Sequence, residues 1–193
     1  ALSSAASDVY KRQAFYSWNL FGSIAWLLKG AGINVVINLF FGVLINAAQA
    51  VASQISSGVT SLMGSFSSAM QPQITKSYAA EDYEHMWKLV FNGTRYSFFL
   101  LAVFMLPLCF NIDFILSLWL KEIPAYTNIF VVLLLANVLA ESYSTYLITV
   151  LLATGKIALY QASVGTILLL NVPLSYLVFQ WGFPPVSFLV VSI

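Results

Sequence analysis

SIAWLLKGAGINVVINLFFG, residues Ser23–Gly42, is apolar at nearly every position, yet Lys29 sits near its centre and Asn34 and Asn38 follow. About 20 apolar residues is the length an α-helix needs to cross the roughly 30 Å hydrocarbon core of a bilayer. Backbone amides find no water there, so a spanning segment must be helical or part of a closed barrel. No strand-like alternation is present, which leaves the helix. A cation in such a helix costs at least about 2.5–3.5 kcal/mol on insertion scales, and is tolerated facing a cavity or an opposite charge.

The composition agrees with that first stretch. Of 193 residues 60% are hydrophobic and only 8% charged, with a mean hydropathy of +0.87. Soluble domains are about a quarter charged, so this chain cannot cover itself with a water-compatible surface. The expected class is an all-α, polytopic transmembrane helix bundle, with the lipid bilayer as its first partner. A net charge of +1 without a basic run offers nothing to nucleic acid. One cysteine, Cys109, permits no intrachain disulfide. One histidine, His85, rules out a His-rich metal site.

Five apolar spans and the start of a sixth are expected, in helices near 14–41, 47–76, 83–110, 124–153, 156–180 and 185–193. In the third, Tyr96–Phe110 is the apolar part. The preceding EDYEHMWKLVFNGTRY is amphipathic and expected to lie along the interface, with Met86, Leu89, Val90 and Phe91 buried. Asn111–Thr127 reads as a short outer-surface helix with Trp119 as an interface anchor. Lys76, Lys88, Arg95 and Lys156 fall on one side and Lys121 alone on the other, which places the first set in the cytoplasm. Ala1–Gln13 is polar and Ser-rich, unlike the rest; it reads as an adapter-derived extension, and the chain as a fragment of a longer protein.

Polar residues are not scattered. In the second span Gln49, Ser53, Ser56, Thr60, Gly64, Ser67 and Gln71 recur at steps of three and four, with Gln54 nearby, while Val51, Ile55, Val59, Leu62, Phe66 and Met70 lie opposite. Two readings stay open: close helix packing through small residues, or the wall of a water-filled cavity with the apolar side in lipid. In the fourth span Glu141 falls near mid-depth, with Asn137, Ser144 and Thr145 on its face. Lys29 and Glu141 are either a mutual ion pair or residues of a solvated pathway. Asn34 and Asn38 lie roughly 140–180° from Lys29 on a straight helix, so either Gly30 and Gly32 bend it or the two sets serve different surfaces. In the fifth span Asn171 or Ser175 is expected to satisfy the carbonyl freed by Pro173. No phosphate-binding glycine loop, carboxylate pair or nucleophile–base spacing occurs, so no catalytic residue, metal ligand or cofactor is assigned and no enzyme is expected.

The segments Trp18–Gly42, Asn46–Asp82, ILSLWL (Ile115–Leu120), IPAYT (Ile123–Thr127) and Leu151–Tyr176 resemble the second half of bacterial lipid-linked oligosaccharide flippases. These are Wzx-type polysaccharide exporters of the multidrug and oligosaccharidyl-lipid exporter superfamily. QPQITKSYAA (Gln71–Ala80), ILSLWL and ATGKI (Ala153–Ile157) carry most of the likeness. The resemblance implies a V of two six-helix bundles, of which this chain is most of the second, in the bacterial inner membrane. Its implied cargo is a polyprenyl-pyrophosphate-linked oligosaccharide, an O-antigen or capsular repeat unit. Lys29 would meet the pyrophosphate; Asn34, Asn38, Gln49, Ser53, Gln54, Ser56, Thr60 and Gln71 would line the cavity. Glu141, with Asn137, would bind a coupling H+ or Na+ or serve as counter-ion, and the first bundle would be supplied by the rest of the chain. A cation-coupled drug exporter and a non-transporting membrane scaffold are the rival readings.

Overall fold

The computed structural model describes the backbone of residues 2–155 and 157–192 and the side chains of residues 13, 16–155 and 157–190. Lys156 and the side chains of residues 1–12 lie outside that set, so the charge assigned to Lys156 and the composition of the first residues have no structural counterpart here. Among the described residues six helices follow one another, α1 (Leu2–Ala79), α2 (Tyr83–Phe110), α3 (Ile112–Trp119), α4 (Thr127–Ala153), α5 (Ala158–Gln180) and α6 (Ser187–Ser192). Four of them, α1 from Tyr16 onward, α2, α4 and α5, are long and apolar enough to cross a membrane.

The first helix is broken at Gly42, whose φ of 79° and ψ of −179° lie outside the helical region. Glycine alone visits that region without strain. The break yields limb α1a (2–41) and limb α1b (43–79). It falls at Gly42, and the helix runs uninterrupted through Gly30 and Gly32, which removes the first of the two alternatives for Lys29 and the asparagines. The chain divides here into two compact units, one of residues up to Phe40 with Thr154–Ser192, the other Phe41–Ala153.

In the first unit α1a and α5 run parallel. Gln161 Nε2 donates to Asn19 Oδ1 at 3.2 Å, Gly165 sits flat on Phe21, and Gly32 on Val172. Further on, Phe40 meets the rings of Tyr176 and Phe179 at 5.3 and 5.8 Å. Partners ascend together in both helices, which fixes the sense. A Cβ on Gly32 would come within 2.7 Å of Val172 Cγ2. Small residues that let helices approach closely are the main source of adhesion where lipid removes the hydrophobic drive. Helix α5 passes unbroken through Pro173. Asn171 and Ser175 are both buried beside the proline, and the Ser175 hydroxyl reaches Asn171 Oδ1 at 3.5 Å. Helix α6 folds back on α5, burying Phe188 and Leu189.

The second unit is an up-down-up bundle. α1b ends in a turn at Ala80–Asp82, where Asp82 Oδ1 accepts from the His85 amide at 3.1 Å and caps α2. The amphipathic segment expected on the interface is the first half of α2, continuous with the span. Met86 and Val90 are buried as expected; Leu89 is half-buried, and Phe91 is exposed. Asn111 ends α2, its Nδ2 donating to the Pro107 carbonyl at 2.9 Å, and α3 follows at once. Helix α4 begins where Thr127 Oγ1 donates to Pro124 O at 2.7 Å. On α2 Gly93 and Ser97 face Tyr146 of α4, and Phe98 faces Tyr143, so the two are antiparallel. The core holds Ile74, Met86, Val90 and Tyr146, with Phe66 and Met70 packed against it.

Candidate functional site

The polar residues of the expected series on α1b share one face, as their spacing requires, but that face is a flank of the packed side and not the side turned fully outward. Ala48, Ala52, Val59, Met63, Ser67 and Ile74 are buried and define the side that packs on α2 and α4. Gln49, Ser53 and Ser56 are half-buried on the flank, Thr60 and Gln71 are exposed, and Ser67 is buried. The face turned fully outward lies about 80–100° further round. It carries Gln54, Ser57, Ser61, Ser65, Ser68 and Thr75, all exposed. The apolar side assigned to lipid is instead largely internal: Val59 is buried, and Ile55, Phe66 and Met70 are half-buried. The reason is packing, since the branched and flexible side chains interlock with the core, leaving the hydroxyl side unpartnered within the unit. The outward ladder was visible as steps of three and four, 54–57–61–65–68, but was masked by the parallel series beside it.

The ladder's chemistry is specific. Ser61 Oγ donates to the Gly58 carbonyl at 2.7 Å, Ser65 Oγ to Ser61 O at 3.0 Å and Ser68 Oγ to Ser65 O at 2.8 Å. Thr60 and Thr75 bond back to Ser56 and Gln71 in the same way. Each hydroxyl proton is thereby directed into the helix, and the oxygen lone pairs point outward as acceptors. On the flank, Gln49 Oε1 is buried and receives no hydrogen bond from the described residues.

Glu141 is exposed midway along α4. Its Oε1 accepts from Asn137 Nδ2 at 2.9 Å, and its carbonyl accepts from Thr145 Oγ1 at 3.1 Å. These two expected residues are therefore brought together. Lys29 belongs to the other unit. It is half-buried on the face of α1a that carries Ala25, Ile33 and Val36, all buried. Asn34 and Asn38 are exposed on the opposite face. So Lys29 and the asparagines serve different surfaces, as a straight helix requires.

Gln71 also lines a cavity of about 650 Å³ at the end of the second unit, with Thr75, Lys76, Thr149 and Leu152. Three polar pairings were not foreseen. The Tyr146 hydroxyl, on a fully buried side chain, meets Ser97 Oγ at 2.6 Å and accepts from Ser67 Oγ at 3.2 Å. Asn19 and Gln161 bridge α1a and α5 beside a cavity of about 410 Å³. Asn128 Nδ2 donates to Asp113 Oδ1 between α4 and α3. Each joins residues far apart in sequence, so no local spacing announces it.

No family model, curated protein or solved structure matches this chain. The functional reading therefore rests on the geometry together with the sequence resemblance described above.

Proposed function

We propose that the chain is one bundle of a bacterial inner-membrane exporter, with α1a, α1b, α2, α4 and α5 as five spans and α6 opening a sixth. Its cargo would be a polyprenyl-pyrophosphate-linked oligosaccharide moved by alternating access. The observation that supports this is the outward ladder of uncharged acceptors on α1b. Facing acyl chains, such a surface gains nothing; facing water or sugar hydroxyls, every rung accepts a hydrogen bond. An exposed carboxylate midway along α4 points the same way, because Glu141 in contact with lipid would cost a few kcal/mol. A second bundle covering both would enclose a hydrated passage. In this scheme sugar hydroxyls donate to Ser57, Ser61, Ser65 and Ser68, while the Gln54 and Gln71 amides both donate and accept. Glu141, held by Asn137, takes the coupling cation.

Cysteine labelling tests the reading. In a Cys109→Ala background, cysteines at Ser61, Ser65 and Ser68 should react with a membrane-impermeant maleimide in intact cells. Lipid-linked oligosaccharide should slow that reaction, and a cationic dye should not. A cysteine at Ser67, buried against Tyr146, should stay unreactive. A dry ladder would favour the scaffold reading, and protection by the dye alone would favour a drug exporter.

A further inference from the structure

A groove of about 470 Å³ runs between α2 and α4, walled by Phe91, Phe98, Phe99, Tyr143 and Leu147, with Arg95 on its rim. Its walls are apolar, and Phe91, Phe99, Tyr143 and Leu147 are all exposed, so within a bilayer the groove faces acyl chains. Arg95 stands where α2 changes character: the chain before it is amphipathic, and Tyr96–Phe110 after it is predominantly apolar and carries no charged residue. The guanidinium does not extend toward the basic end of the helix. Its Cζ lies 5.8 Å from the centre of the Phe99 ring, one turn into the apolar segment. No carboxylate among the described residues lies within ion-pair distance of it, whereas Lys88 on the same helix is neutralised by Glu84 at 2.7 Å. Trp87, with its ring centre 6.0 Å from that of Phe91, and Tyr96 flank Arg95 in the sequence, and these two residue types are enriched at the headgroup level.

We infer that this groove is a binding site for one anionic glycerophospholipid of the leaflet at the basic end of the unit. The phosphate pairs with Arg95, and an acyl chain lies along Phe98, Phe99 and Tyr143. The charge argument selects the occupant. A guanidinium held over a ring in an apolar groove, without an acidic neighbour, calls for an anion that brings its own hydrocarbon. A zwitterionic lipid supplies the same chain but offsets the phosphate with its own ammonium. The inference rests on the helices spanning a membrane and is independent of any cargo, so lipid retention can succeed or fail without regard to export.

The test is native mass spectrometry of the full chain from nanodiscs of equal parts phosphatidylglycerol and phosphatidylethanolamine. The wild type should retain one phosphatidylglycerol through detergent exchange. Arg95→Gln should lower the retained fraction about fivefold, the factor expected for one basic residue near an anionic surface, and Arg95→Lys should keep most of it. Leu147→Trp, on the facing helix, should lower retention with the arginine intact by filling the groove. Unchanged retention in both Arg95→Gln and Leu147→Trp would overturn the site. So would an equal loss in Lys88→Gln, which would mean diffuse surface charge. Displacement of the phosphatidylglycerol by an equimolar prenyl phosphate would assign the groove to a different lipid.

Discussion

At the scale of single residues, the phenol of Tyr146 organises the second unit. It draws hydroxyls from α1b and α2 to one point on α4, and its ring lies where a Cβ on Gly93 would stand 3.1 Å from it. Interhelical hydrogen bonds in membrane proteins average about 0.6 kcal/mol and reach about 1.7. Tyr146→Phe leaves two buried serine hydroxyls with one partner fewer and should cost about 1 kcal/mol. Gly93→Val forces methyl groups against the ring and should cost more, about 1–3 kcal/mol. Thermal unfolding in a mild detergent reads both, and a Tyr146→Phe protein as stable as wild type would show that the three-helix junction holds by shape alone. Sequence could not disclose this hub. Ser67 belonged to a promising polar series, and only its partner 79 positions away reveals that it serves packing.

Among the elements, the broken first helix makes the sharpest prediction. Gly42 and Gly58 both have open space where a Cβ would go, but only Gly42 has a positive φ, 79°. Gly42→Ala should therefore destabilise by about 1–3 kcal/mol through backbone strain alone. Gly58→Ala, inside a regular helix, should stabilise by about 0.5–1 kcal/mol. Opposite shifts in melting temperature would confirm that the break is a backbone property; shifts of the same sign would refute it. The helices themselves were largely legible. α2 ends at Phe110, α4 at Ala153 and α5 at Gln180, as the run of apolar residues and the following Asn111, Gly155 and Gly182 indicate. What failed was rotation about the α1b axis. Spacing reports which residues share a face, but α2 and α4 decide which face turns inward, and both lie later in the chain.

For the molecule as a whole, the distribution of charge sets orientation. In the second unit Lys76 and Lys88 flank the α1b–α2 turn, and Arg95 lies just inside that end, while Lys121 follows α3 at the other. The positive-inside bias predicts a cytoplasmic turn. A cysteine at Ala80 should react with an impermeant reagent only in opened cells or inverted vesicles. One at Ala125, in the loop before α4, should react in intact cells. The reverse pattern would invert every assignment of side made above. Class and helical architecture were readable from composition and hydropathy, because lipid constrains a chain so strongly. The site was readable only in part. Asn137 and Glu141 sit one turn apart and had to meet; Lys29 and the asparagines had to part.

The serine ladder carries one more consequence. At Ser61, Ser65 and Ser68 the hydroxyl protons are turned into the helix, so these oxygens can welcome a donor but have nothing to offer an anion. Phosphate approaching them would meet lone pair against lone pair, whereas a hexose presents hydroxyl hydrogens at every edge. Such a wall would sort a two-part amphiphile by polarity of hydrogen bonding, holding the saccharide and turning the diphosphate elsewhere. Capping those sugar hydroxyls as methyl ethers should then loosen the hold without altering a single charge.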